Sequence, residues 1–180
     1  NALFAAAFVR GYQGEDLKDE EHLAACVKHL AAYGAAESGR DYNAVELGGY
    51  ALREFYLPAY RAAIDAGAAM VMSSFNALNG VPSTMNVWLL RDLLRGEWGF
   101  DGFVVSDLLS IEGLHETHGV AGSVREAAVQ ALRAGVDADL KGGAFASLRE
   151  AAEAGDVAEA EIDRAVERVL ALKFEMGLFE

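Results

Sequence analysis

Four short apolar runs, separated by stretches of helical periodicity, constrain this chain more than any other feature. They fall at residues 23–30 (LAACVKHL), 68–75 (AAMVMSSF), 100–107 (FDGFVVSD) and 136–140 (VDADL). Phe103, Val104 and Val105 have the character of a strand buried on both faces. Between the runs, residues 47–66 carry apolar side chains at helical spacing, with a kink expected at Pro58. Residues 86–98 read as a second helix. Ser123 as N-cap, Glu126 three residues on and Gly135 at the end delimit a third. Helices at 144–155 and 158–177 finish the chain. The order is βαβαβαβα without a hairpin signal; Asn79-Gly80 and Pro82 read as turn residues. This predicts an α/β fold, a parallel sheet under covering helices.

Composition narrows the function classes. With 180 residues, 53% of them hydrophobic, the chain can bury a sizeable core as one domain. No apolar run approaches the roughly 18 residues of a membrane span. A formal net charge of −13 argues against nucleic acid or an anionic membrane as partner. The lone cysteine, Cys26, excludes an internal disulfide framework and reads as a structural thiol. The N-terminal stretch NALFAAAFVRGYQG lacks a signal peptide's basic region and cleavage pattern. It reads as an amphipathic helix entered partway, so the chain is expected to begin inside a larger unit.

Two architectures accommodate the alternation: an open doubly wound sheet, or an arc of a (β/α)8 barrel. The absence of a glycine-rich phosphate fingerprint after any strand disfavours nucleotide binding, and no cofactor is expected. In barrels, polar residues at the C-terminal ends of strands carry the chemistry. Those ends hold Lys28-His29, residues 74–76, Asp107 and Asp139. Each has a structural alternative. Asp107 could be a helix N-cap, and Asn76 could shape the loop with Asn79-Gly80. Asp139 could be a cap or an ion-pair partner for Lys141. The Lys28-His29 pair is hardest to explain this way, because two basic groups ending an apolar strand need partners. His115 and His118 have metal-like spacing in HETHG, but Gly113 and Gly119 suggest a loop and no third ligand is in register, so no metal is expected.

Together the motifs form a longer pattern. VKHLAAYGAAESGRDYN, LREFYLPAYRAAIDAGAAMVMSSFNALNGVPSTMN, LLRDLLRGEWGFDGFVVSD and ALKFEMGLFE resemble glycoside hydrolase family 3, nearest its bacterial periplasmic β-glucosidase type. The resemblance implies about four βα units from the later part of a (β/α)8 TIM barrel. It implies a retaining β-glycosidase acting on terminal β-glucosyl residues of glucosides or oligosaccharides, with β-xylosidase the alternative, in a periplasmic or secreted setting. It maps the nucleophile onto Asp107, hydroxyl-binding groups onto Lys28 and His29, and a sugar-adjacent side chain onto Met72.

The chemistry suits these roles. A retaining glycosidase needs a carboxylate nucleophile and a second carboxyl about 5–5.5 Å away as acid and then base. Burial raises a carboxylate's pKa, and Lys28 is expected to oppose that at Asp107. Two family positions differ: Leu108 replaces an aromatic after the nucleophile, and Phe75 replaces a tyrosine. The family's early barrel strands, and the α/β sandwich domain that usually supplies the acid/base glutamate, are not in this sequence. No Asp-His pair follows Lys28-His29 to replace it. The chain is therefore expected to need the missing barrel half and an acid-bearing domain or chain. Two other classes stay in view. A Schiff-base aldolase could use Lys28, and a sugar-binding barrel fragment need not turn substrate over.

Overall fold

Val27, Val71 and Val104 are register partners across a parallel sheet, and they show how the chain divides inside from outside. The computed structural model describes residues 1–179. Its strands are β1 (Cys26–Leu30), β2 (Met70–Ser73), the two-residue β3 (Ala77–Leu78) and β4 (Val81–Pro82), and β5 (Phe103–Val105). β1, β2 and β5 form the parallel sheet in that order. Side chains alternate across a strand. Val71 and Val104 therefore enter the main core, while Cys26, Met70 and Phe103 share the opposite face with Met72 and Val105. Those five are only partly buried.

The helices cover one face. They are α1 (Ala2–Gln13), α2 (residues 49–65), α3 (Trp88–Glu97), α4 (Glu112–Glu116), α5 (Val124–Ala134), α6 (Leu148–Glu153) and α7 (Glu159–Glu175). Leu89, Leu90, Leu93 and Leu94 of α3 and Ala127, Ala128 and Ala131 of α5 are fully buried against the valine face. Within α2, a π-type stretch at Leu52–Tyr56 runs into Pro58, which has no N–H for the usual helical bond. The irregularity expected at Pro58 is thus found in the turns just before it. Ser123 caps α5 by accepting the Glu126 N–H at 3.1 Å, and Gly135 closes it with φ 115°.

Three expectations are corrected. β3 and β4 form a minimal antiparallel hairpin whose turn, Asn79-Gly80, has φ 49° and 80°. Positive φ at both central residues is what a two-residue hairpin requires, so this pair was itself a hairpin signal. Its Asn79 side chain also exchanges two hydrogen bonds with the Leu47 backbone. The HETHG segment is not all loop, since α4 forms there once Ile111 and Leu114 are pulled into the core.

The fourth apolar run, 136–140, is not an extended strand. It contributes one parallel bridge, Ala138 beside Val105. The Asp137 carboxylate takes the Val104 N–H at 2.8 Å, in the place of a backbone carbonyl. That buried carboxylate also pairs with Arg95 at 2.6 Å and Arg168 at 2.8 Å, tying the run to α3 and α7. A short backbone ladder remains, with the Asp137 and Ala138 N–H groups on the Val104 carbonyl and the Ser106 N–H on the Ala138 carbonyl, and the Asp137 side chain adds to it.

Close approach of β5 to β2 depends on a missing side chain. A Cβ on Gly102 would lie 2.2 Å from the Ala69 carbonyl oxygen, with backbone on both sides of the contact. Gly102→Ala in the complete protein is expected to destabilise by about 1–3 kcal/mol, the usual range for overpacking. Chemical denaturation would measure it, and an unchanged midpoint would show that the strands can move apart freely.

Candidate active site

Asp107 follows β5 by two residues, at the C-terminal end of the sheet, and is 8% exposed. It caps no helix: α4 begins at Glu112, and the Asp107 Oδ1 accepts only the adjacent Leu108 N–H, at 2.7 Å. The chain turns sharply here, with Leu109 at φ 58° and the Ser110 N–H on the Asp107 carbonyl at 3.1 Å. Leu108 and Leu109 are left exposed beside the carboxylate.

β1 brings His29 to the same point. Its Nε2 lies 3.3 Å from Asp107 Oδ2. The Tyr60 hydroxyl donates to the His29 carbonyl at 2.5 Å, and Tyr33 meets the imidazole edge-on at 5.4 Å. Burial pushes the His29 pKa down, and the Asp107 charge partly opposes that. A neutral imidazole protonated on Nε2 can donate to Asp107 without neutralising it.

Lys28 is placed differently from His29. It is exposed, and no ion pair joins it to Asp107. Its charge lowers the pKa values of His29 and Cys26 from a distance. The carboxylate's immediate partner is therefore the histidine of the pair. Met72 is half-buried and is the register partner of Val105, one step below Asp107 on the same face. Cys26 is partly buried, and burial pushes its thiol pKa up, as suits an unreactive thiol.

The remaining candidates serve the scaffold. Asn76 is fully buried, accepting the Ser74 hydroxyl and donating to the Ala31 and Ala77 carbonyls. Asp139 makes no ion pair with Lys141, and its carboxylate instead accepts the Phe145 N–H at 3.2 Å. His115 and His118 meet the main-chain carbonyls of Ala121 and Phe75, at 2.8 and 3.1 Å. Among the described residues, no group of three or more His, Cys, Asp or Glu side chains could hold a metal ion. Sequence reasoning missed Tyr60, which braces His29, and a buried hydroxyl chain from Ser73 through Thr84 to Ser110 that ties the hairpin to the turn after Asp107. Neither has a sequence signal, because each joins residues distant along the chain.

Comparison with known proteins identifies the family. Residues 2–172 match the family described as "Glycosyl hydrolase family 3 N terminal domain". A periplasmic beta-glucosidase of Salmonella typhimurium is 41% identical over 99% of this chain and 23% of its own length. A beta-xylosidase of Formosa agariphila is 38% identical over 97% of this chain and 26% of its own. The crystal structure of a beta-glucosidase from Listeria innocua in complex with glucose superposes with a TM-score of 0.97. It is 46% identical over all of this chain and 25% of that one.

The class these observations define is an α/β protein carrying part of a (β/α)8 barrel. The chain belongs to glycoside hydrolase family 3. It spans about a quarter of the length of the relatives it matches.

Proposed function

We propose that residues 1–180 are the nucleophile-bearing later part of a family 3 barrel domain, in a retaining β-glycosidase that removes terminal β-glucosyl residues. The observation that carries this reading is the buried Asp107 carboxylate at a strand's C-terminal end, 3.3 Å from His29 Nε2, in a chain of this family. Asp107 attacks the anomeric carbon and forms a glycosyl ester. The second carboxyl protonates the leaving oxygen, then activates water to release the sugar. His29 and Lys28 donate hydrogen bonds to sugar hydroxyls, and Met72 packs beneath the ring. The second carboxyl and the early barrel strands come from a longer chain or an associated one. The name of the Salmonella relative supports a periplasmic setting, and no helix among the described residues is long and apolar enough to cross a membrane.

A 2-fluoro-β-glucoside inactivator traps the covalent intermediate. Applied to the complete enzyme, it should label the peptide containing VVSDLL at Asp107, and a label elsewhere would remove the assignment. The Formosa relative favours xylose as the second reading. A kcat/KM higher for aryl β-xyloside than for aryl β-glucoside would select it.

Lys28 and His29 are assigned to positioning. Lys28→Ala and His29→Ala should each cost about 1–3 kcal/mol of transition-state stabilisation, read from kcat/KM. His29→Ala should cost the more, since it alone touches the carboxylate. Wild-type rates in both variants would make the pair structural.

A further inference from the structure

The chain carries a net charge of −13, yet one spot on it is strongly basic. Arg91 and Arg95 of α3, Arg133 of α5, and Arg164 and Arg168 of α7 line one small cavity between the three helices. That is five of the chain's 15 lysines and arginines, against two lining carboxylates, Asp137 and Glu161. Like charges gathered this closely repel. Arg95 registers the repulsion. Burial pushes its pKa down, Asp137 and Asp101 oppose that, and the charges of Arg168 and Arg91 push the same way as burial.

Structural work accounts for part of the cluster. Arg95 and Arg168 hold the Asp137 carboxylate at 2.6 and 2.8 Å. Arg91 donates to the Arg133 carbonyl at 3.0 Å, near the C-terminal end of α5, where cations are favoured. Arg133 donates to the Asp156 carbonyl at 2.5 Å and stands 3.7 Å from Glu161, a long ion pair. The rest is surplus. Among the described residues Arg164 has no hydrogen-bond or ion-pair partner, although it lines the cavity. Arg168 spends only Nη1, and Arg91 only one N–H. A guanidinium carries five N–H donors, so these three side chains keep most of theirs uncommitted.

Size and charge together say what the cavity can take. At about 50 Å³ it is far smaller than the roughly 300–1,000 Å³ of pockets for drug-sized ligands, and it suits a small ion. Guanidinium groups bind oxyanions through paired N–H bonds to two oxygens. We infer that this cavity is a binding site for one small oxyanion of the phosphate or sulfate class, held by Arg91, Arg164 and Arg168, with the more buried Arg95 adding its charge. The bound ion offsets the repulsion among the arginines that hold Asp137, and Asp137 in turn holds the Val104 N–H of the strand leading to Asp107. The site includes none of the residues assigned to the sugar, so it stands whether or not Asp107 is the nucleophile.

Equilibrium dialysis of the complete enzyme against labelled inorganic phosphate tests the site. One phosphate per chain should bind. Sulfate should displace it, and chloride at equal ionic strength should not. Saturating glucose should leave it bound, whereas a phosphate held at Lys28 and His29 would be lost. Arg164→Gln and Arg91→Gln should each weaken binding by about tenfold, the loss of one charge-assisted hydrogen bond. Both side chains are exposed and neither holds Asp137, so both variants should fold. A melting temperature in phosphate-free buffer no lower than wild type checks that. Arg40→Gln, which removes an exposed arginine outside the cavity, should bind as wild type. No binding to the wild type would overturn the site, and a carboxylate from the rest of the chain filling the cavity would give that result. Displacement by glucose or by chloride would also overturn it, as would equal binding by the wild type and all three variants, or equal weakening in all three.

Discussion

Asp107→Asn in the complete enzyme is expected to lower kcat by at least three orders of magnitude, about 4 kcal/mol or more on the barrier. The amide is nearly the same size as the carboxylate, and its oxygen can still accept the Leu108 N–H that the acid accepts at 2.7 Å. Its carbonyl and amide groups can also face His29 without a new clash. The fold should therefore persist, with a melting temperature close to wild type. On the proposed role, what is lost is the nucleophile, since an amide does not form the glycosyl ester. Steady-state kinetics on an activated aryl glucoside, with thermal unfolding beside them, separate the two effects. A rate within about tenfold of wild type would make Asp107 a binding residue. A collapsed melting temperature would make it structural.

The 180-residue chain on its own is expected to show no turnover of the same substrate and not to persist as a folded monomer. The sheet explains both. β1 stands at the edge of the three-stranded sheet, with paired backbone only on its β2 side. Unpaired strand edges recruit other chains. Met70, Met72, Phe103 and Val105 are half-exposed on the face that fills a closed barrel. Leu3, Phe4, Phe8 and Tyr12 of α1 are likewise exposed. The acid is the other reason. Of the carboxylates in the loop after β1, Asp41 is committed to Tyr33 and Tyr42. Solution mass and hydrolysis by the purified chain test both statements. A monomer with full turnover would overturn them and place the acid within this chain, Glu37 in that loop being the first to replace.

The alternation of apolar runs and helical stretches was legible because backbone geometry imposes it locally. Period-2 and period-3.6 patterns, the Ser123 cap and Gly135 depend on neighbours a few residues away, and the parallel sheet followed from their order. The residues VVSD likewise marked Asp107, since a carboxylate ending a buried strand is costly unless it has work or partners. The places where sequence reading failed were set by long-range contacts. The run at 136–140 looks like a full strand, but it pairs with β5 only around Ala138, while Arg95 and Arg168, from α3 and α7, hold the Asp137 side chain against the Val104 N–H. Lys28 and His29 are adjacent in the sequence, and both carry nitrogen groups able to meet a carboxylate. Only the packing of β1 on Tyr60 and Tyr33 decides that His29 faces Asp107 while Lys28 stays in solvent. Periodicity determines which elements form. Which side chain meets which, across the 77 residues between His29 and Asp107, is decided by tertiary packing that no local pattern encodes.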